Sequence, residues 1–406
     1  MSEPLKTYYD YAQVSLAAYA NLSAGMSAPD YKSALVEAGF SETLADQFSS
    51  RYRILDQRDA GGFSATLFEL QAANGQPNQK ILTISGTDGF LDALSDLNIL
   101  FGTAGLFESQ YDALKSYYAD LINPAKLGLL GAGEQITVTG HSLGGYLAQT
   151  FTADPAYSGN VLQAYTYNAP GYNGIWAEIA ELVGFSPAST PNAQITNLFA
   201  ENGLSATSGL GTLVGAVQRL FIEEGSSVHN HSIITLTDAL ALYNLFGTID
   251  PNLEVESITE ILNAAGTSGG SSLEQTLLAL HSLFQTPSDA LTPNTPLDAQ
   301  DRNAYYVNID TVASSLLPPG SYSVESLITA PNVASQAEQS GGLAYRYALK
   351  ELNPFVVIGA NYALHNVSGT YGGPLDLYNP DTGMGTLTDE SVKRCQEPLF
   401  ELARTS

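Results

Sequence analysis

The feature that most constrains this chain is Gly140-His141-Ser142-Leu143-Gly144-Gly145. Ile136-Thr137-Val138-Thr139 leads into it with the β-branched density of a short buried strand. Leu143 onward, through LGGYLAQTFTAD, carries helical periodicity. A strand must therefore turn into a helix at Ser142. A serine at such a turn is forced outward above the sheet edge, and its flanking positions need glycine because neighbouring segments leave no room for a Cβ. The start of the following helix adds a positive field that favours developing negative charge. Ser142 is thus a candidate nucleophile, and the alternative is a serine that merely caps a helix.

The surrounding chain alternates in period. Residues 5–50 read as helices, with Pro29 near a helix start. SATLFELQ and KILTISGT read as strands around the turn NGQPN. DGFLDALSDLNIL and ESQYDALKSYYADLI suit helices, then EQITVTG a strand and LGGYLAQTFTAD a helix. NVLQAYTYNAPG and AQITNLFAENG follow as strands separated by YNGIWAEIAELVGFSPAST. Strands alternating with helices imply an α/β chain with a mostly parallel sheet flanked by helices. Beyond about residue 250 the rhythm changes, with Gly/Ser-rich NAAGTSGGSS and Pro-bearing QTPSDALTPNTPLDAQD around the helical run LEQTLLALHSLF. The expected division is a core over 1–250, with N-terminal helices in 1–50, and a C-terminal accessory region over 251–406 packed on it.

A serine nucleophile needs a base, and the chain has five histidines: His141, His229, His231, His281 and His365. His141 adjoins the serine, so its ring is expected to point elsewhere. His281, in an apolar helical run, and His365 suit packing roles. In SSVHNHSIITLTDAL, a polar loop precedes a helix after the core strands, where a serine, acid, histidine order puts the base. His231 is preferred there over His229. The acid belongs at a strand end between serine and base, where Glu201 closes QITNLFAEN; Asp238, on the following helix, is the fallback. An oxyanion needs two backbone N–H donors. Leu143 supplies one, and ILTISGTDGF offers Gly86 for a tight turn and Thr87 as the second donor.

Composition excludes several classes. With 41 acidic against 15 basic side chains, the formal charge of −26 repels nucleic-acid phosphates and anionic lipid head groups. Cys395 is the only cysteine, which rules out an intramolecular disulfide framework and a Cys-based zinc site. The N-terminus lacks a basic start followed by an apolar run, and no segment reaches the roughly 18 unbroken apolar residues of a membrane span. The expectation is a soluble protein without an N-terminal signal peptide, cytoplasmic or exported by a signal-independent route. Asp88, Asp92 and Asp96 at four-residue spacing, and DLYNPDTG, gather oxygen ligands for calcium. Helical carboxylates at that spacing more often form a solvated face.

The set TISGTDGF, VTGHSLGGYLAQ, YTYNAPG and HSIITLTDALALY resembles bacterial lipase-like α/β hydrolases. These are related to class 3 lipases and to lipase modules of large bacterial proteins with calcium-binding repeats. The likeness covers roughly residues 50–250. It implies the α/β-hydrolase fold, a triad of Ser142, Glu201 and His231, and an oxyanion hole from Thr87 and Leu143. The family pattern usually has aspartate where Glu201 stands.

The expected reaction is hydrolysis of a neutral acyl ester by a lipase or carboxylesterase through an acyl-enzyme, with no cofactor required. Polyesters are further candidate substrates. Trp176, in YNGIWAEIAELVGF, and Phe90, beside the oxyanion loop, are candidate substrate-binding residues; LNILFGTAGLF adds apolar surface. The alternatives are a phospholipase A1, a peptidase or thioesterase on the same scaffold, and a non-catalytic binding module of a secreted protein.

Overall fold

Among the described residues, seven strands form one sheet in which spatial order follows chain order. The computed structural model describes residues 3–60, 62–71, 78–86, 97–171, 193–201, 214–223, 225–265, 272–284, 301–339 and 342–366; at 3, 97–107, 227, 272 and 301 it describes backbone alone. Three helices precede the sheet: α1 (Glu3–Ala17), α2 (Ala28–Glu37) and α3 (Glu42–Arg51). Their starts follow local chemistry. Ser27 caps α2 by accepting the Asp30 N–H, with Pro29 in the first turn, and Ser41 caps α3 by accepting the Leu44 N–H.

β1 (Tyr52–Ala60), β2 (Phe63–Leu70) and β3 (Gln79–Ile84) pair antiparallel. From β3 onward, β4 (Ile136–His141), β5 (Val161–Tyr167), β6 (Ile195–Ala200) and β7 (Ala216–Leu220) run parallel. α4 (Leu97–Ile122) crosses from β3 to β4, and α5 (Leu143–Ala153) from β4 to β5. This mostly parallel sheet flanked by helices is the α/β-hydrolase fold.

The period of two along β4 divides its side chains between two layers. Ile136 and Val138 join Tyr111, Leu114, Tyr117, Tyr146, Leu147 and Phe151 of α4 and α5 in one apolar core. Thr137, Thr139 and His141 alternate with them, toward α1. There a polar ladder forms: the Tyr11 hydroxyl donates to Thr137 Oγ1 at 3.5 Å, Ser15 Oγ meets Thr139 Oγ1 at 2.7 Å, and the Tyr19 hydroxyl meets His141 Nδ1 at 2.8 Å. The match is geometric. Four helical residues rise about 6 Å and two strand residues about 6.6 Å, so positions 11 and 15 keep step with 137 and 139, and Tyr19, in the turn after α1, meets 141. Tyr11 also stacks on Tyr165 of β5 at 4.5 Å.

Two strands differ from the sequence reading. β1 begins where the expected helices end and runs through residues assigned no element, and β7 likewise lies in a stretch assigned none. Both are edge strands on which few side chains are fully buried, so neither shows the apolar density that marks a buried strand. Arg53 on β1 pairs across to Glu69 on β2 at 2.5 Å, charge that suits an exposed edge.

The chain forms two compact units, residues 7–240 and residues 241–406 with 1–6. The division falls inside α7 (Ile233–Ile249), which follows the short α6 (Ser227–His231). The second unit contains α8 (Val255–Ala265), α9 (Ser272–Phe284) and α10 (Asp301–Ser315). A two-stranded antiparallel pair, β8 (Ser323–Ser326) and β9 (Phe355–Ile358), completes it with short helical turns. Asp250 accepts the Val324 N–H at 3.0 Å and ties β8 to the end of α7. NGQPN, the proline-rich 285–300 stretch and residues 172–192 lie largely or wholly outside the described residues. Among the described residues, no helix is long and apolar enough to cross a membrane.

Candidate active site

Ser142 adopts φ 57° and ψ −127°, a conformation that side-chain-bearing residues rarely take. The surrounding glycines explain how it is held. A Cβ on Gly140 would lie 2.5 Å from the Gly144 carbonyl oxygen, and one on Gly144 would lie 2.2 Å from that of Ile84. A Cβ on Gly145 would lie 2.7 Å from that of Ala169. Strand and helix thus approach more closely than any side chain permits. The Ser142 N–H completes β4 by donating to the Tyr167 carbonyl at 2.9 Å. Ser142 does not use its side chain to cap α5, which removes the simple capping alternative.

Its hydroxyl instead meets His231 Nε2 at 2.8 Å. Both residues are buried. His231 ends α6, whose start is capped by Ser226 accepting the His229 N–H. His229 itself is exposed. Burial holds the His231 imidazole at about 3, far below its ordinary value, with the neighbouring His141 ring adding to the depression. At neutral pH the ring is uncharged and able to accept a proton from Ser142.

The His231 carbonyl has two donors. His141 Nε2 lies 2.7 Å away and Asn168 Nδ2 3.0 Å away. Because a carbonyl only accepts, His141 carries its proton on Nε2, leaving Nδ1 to accept the Tyr19 hydroxyl proton. The Tyr19 oxygen in turn accepts the Gly86 N–H at 3.0 Å. Desolvation holds His141 at about 4, partly offset by its bond to the His231 carbonyl. Alternation along β4 turns the His141 ring toward Tyr19 rather than onto the Ser142 hydroxyl, and the main chain of His231 lies on that side.

Asn168 adopts φ 47° just after β5. Besides holding the His231 carbonyl, its side-chain oxygen accepts the Ala200 N–H at 3.1 Å at the end of β6. Glu201 follows Ala200 directly, is exposed, and donates its N–H to the Leu220 carbonyl of β7 at 2.7 Å. Asp238 is buried on α7. His281 is buried in α9, and His365 Nε2 lies 3.1 Å from the Leu283 carbonyl.

Leu143 opens α5, where first-turn N–H groups have no partner within the helix. A Cβ on Gly86 would stand 3.2 Å from Ser142 Cβ, so the chain leaving β3 passes against the serine. Thr87, Phe90 and Trp176 lie outside the described residues, as do Asp88, Asp92, Asp96 and DLYNPDTG. Among the described residues, no group of three or more His, Cys, Asp or Glu side chains is placed to hold a metal ion.

Sequence reasoning missed Tyr19 and Asn168. Asn168 is visible in hindsight as a polar residue ending a strand before Ala-Pro. Tyr19 carries no local signal, because its role depends on the pairing of α1 with β4.

No family model matches the chain, and neither does any curated protein. Among solved structures it is similar to the Lip2 lipase of Yarrowia lipolytica, with 16% identity, a TM-score of 0.34, and coverage of 54% of this chain and 79% of that one. The lipase of Rhizopus microsporus var. chinensis gives 15%, 0.28, 49% and 66% in the same order. Lipase II of Rhizopus niveus gives 14%, 0.27, 49% and 72%.

Proposed function

We propose that the chain is a serine carboxylic ester hydrolase acting on neutral acyl esters, as a lipase or carboxylesterase does. The observation that carries this reading is the 2.8 Å contact between Ser142 Oγ and the buried, uncharged His231 Nε2, at a strained strand-to-helix turn. A capping serine requires neither the strain nor the histidine.

In the proposed reaction, His231 Nε2 takes the hydroxyl proton as Ser142 Oγ attacks the ester carbonyl carbon. The tetrahedral oxyanion rests on the N–H groups of Leu143 and Thr87. Collapse expels the alcohol, which receives the proton from His231. Water, deprotonated by the same imidazole, then attacks the acyl-enzyme, and the carboxylic acid leaves as Ser142 recovers its proton. Glu201 is assigned as the acid that orients His231. Asn168 supports this assignment, since its side chain bonds both the Ala200 N–H, one residue before Glu201, and the His231 carbonyl.

Trp176 and Phe90 are assigned to the acyl side of the substrate, and the acidic surface favours neutral esters over anionic lipid interfaces. Initial rates on p-nitrophenyl esters from acetate to palmitate, for the native chain and Ser142→Ala, test the reading. Activity lost on substitution supports it, and the chain-length profile separates esterase from lipase. Activity absent in both, with no labelling of Ser142 by a fluorophosphonate, overturns it in favour of a binding module.

A further inference from the structure

The polar ladder between α1 and β4 ends at the candidate active site, and its last rung differs from the others. Tyr11–Thr137 is joined by Gln79 of β3, and Ser15–Thr139 reaches the Tyr165 carbonyl of β5, so both stay within the sheet and its covering helix. The Tyr19–His141 rung goes on in both directions: to the Gly86 N–H through the tyrosine oxygen at 3.0 Å, and to the His231 carbonyl through imidazole Nε2 at 2.7 Å. Every proton in this chain has one allowed position. The carbonyl fixes Nε2–H, Nδ1 then requires the tyrosine O–H, and the tyrosine oxygen receives the amide proton.

We propose that Tyr19 and His141 form a positioning pair that holds the main chain of the base, His231, in register with Gly86 at the exit of β3, on the two sides of Ser142. This inference rests on the proposed esterase function. It gives the residue before the nucleophile a role distinct from proton transfer, and it gives the turn after α1 a part in the site.

The geometry explains why one pair serves both ends. Gly86 lies so close to Ser142 that an added Cβ would stand 3.2 Å from the serine Cβ and 2.7 Å from the Tyr19 hydroxyl. Moving Gly86 moves the start of the loop assigned to the oxyanion. Moving the His231 carbonyl moves the ring whose Nε2 meets Ser142. Because both are bonded to one pair, half-buried Tyr19 and buried His141, the main chain of the base and Gly86 are held relative to each other while substrate enters. Neither Tyr19 nor His141 touches the reacting atoms, so the effect belongs on the rate of chemistry rather than on ground-state binding.

The test compares Tyr19→Phe, His141→Gln and His141→Leu on p-nitrophenyl butyrate. The glutamine keeps an N–H in the place of Nε2, able to reach the His231 carbonyl. Tyr19→Phe is expected to lower kcat about tenfold to a hundredfold with KM within about twofold, and His141→Gln to recover at least tenfold in kcat over His141→Leu. A Tyr19→Phe kcat within twofold of native, or a glutamine variant no better than leucine, overturns the proposal. The native chain supplies a check independent of folding. Its long-range proton–nitrogen spectrum at pH 7 is expected to show neutral His141 protonated at Nε2, and a proton on Nδ1 overturns the assignment. Ser142→Ala separates the two levels: if it retains native activity, the esterase reading fails and this one with it. If it is inactive while Tyr19→Phe is unimpaired, only the positioning pair fails.

Discussion

His231 Nε2 stands 2.8 Å from Ser142 Oγ, although 88 residues separate the two in the chain (231 − 142 − 1). The serine is presented by a turn that only glycine neighbours permit, and the histidine by a short helix whose carbonyl end is gripped from β4 and β5.

The tightness of that turn makes a stability prediction. Gly144→Ala puts a methyl group 2.2 Å from the Ile84 carbonyl oxygen and 2.6 Å from that of Ser85, both backbone atoms that cannot swing aside. It should cost about 1–3 kcal/mol or more. Gly159→Ala, with open space around the new methyl, should stay within about 0.5 kcal/mol. Urea titration of both variants checks the contrast.

The acid assignment predicts an ordered pair of losses. Glu201→Gln should reduce kcat by about 10³- to 10⁴-fold, the scale seen when a triad acid is neutralised without change of shape. Asp238→Asn should cost less than about tenfold, because it sits inside α7, seven residues after His231, rather than at a strand end. Steady-state rates per folded molecule decide between them, and the reverse order would move the assignment to Asp238.

The buried histidines predict a specific acid sensitivity. In the unfolded chain His141 takes a proton near 6.5, while the folded state resists until about 4. The unfolded state therefore binds more protons between those values, and stability falls as pH drops from about 6.5 to about 4. The ring faces the Tyr19 hydroxyl and the His231 imidazole. His231, depressed to about 3, has the same sign. The His141 share is about 3 kcal/mol, so the stability of His141→Gln should fall less steeply over this window. Urea midpoints at pH 7, 5.5 and 4 for both proteins measure the difference.

Much of this arrangement is legible in the sequence, and the reasons are local. The strand, turn and helix around Ser142 announce themselves by a change of period within about a dozen residues, and glycine marks the close approach before any contact is known. β2 to β6 carry the apolar density of strands buried on both faces. β1 and β7 do not, because an edge strand satisfies only one neighbour and tolerates charge such as Arg53 and Arg219. The Tyr19–His141 bond spans 122 positions and depends on α1 lying along β4, a tertiary fact that no window of sequence contains. Sequence order prefers Glu201, at a strand end between Ser142 and His231, and leaves Asp238, on the helix after His231, as the fallback.

The most direct test of the central claim is intact-mass analysis after treatment with a fluorophosphonate, run beside ester hydrolysis, for the native chain and Ser142→Ala. The account predicts one covalent adduct on Ser142 with loss of hydrolysis in the native protein, and neither adduct nor activity in the alanine variant. Hydrolysis that persists in Ser142→Ala, or a native chain that neither reacts nor hydrolyses esters, would contradict it.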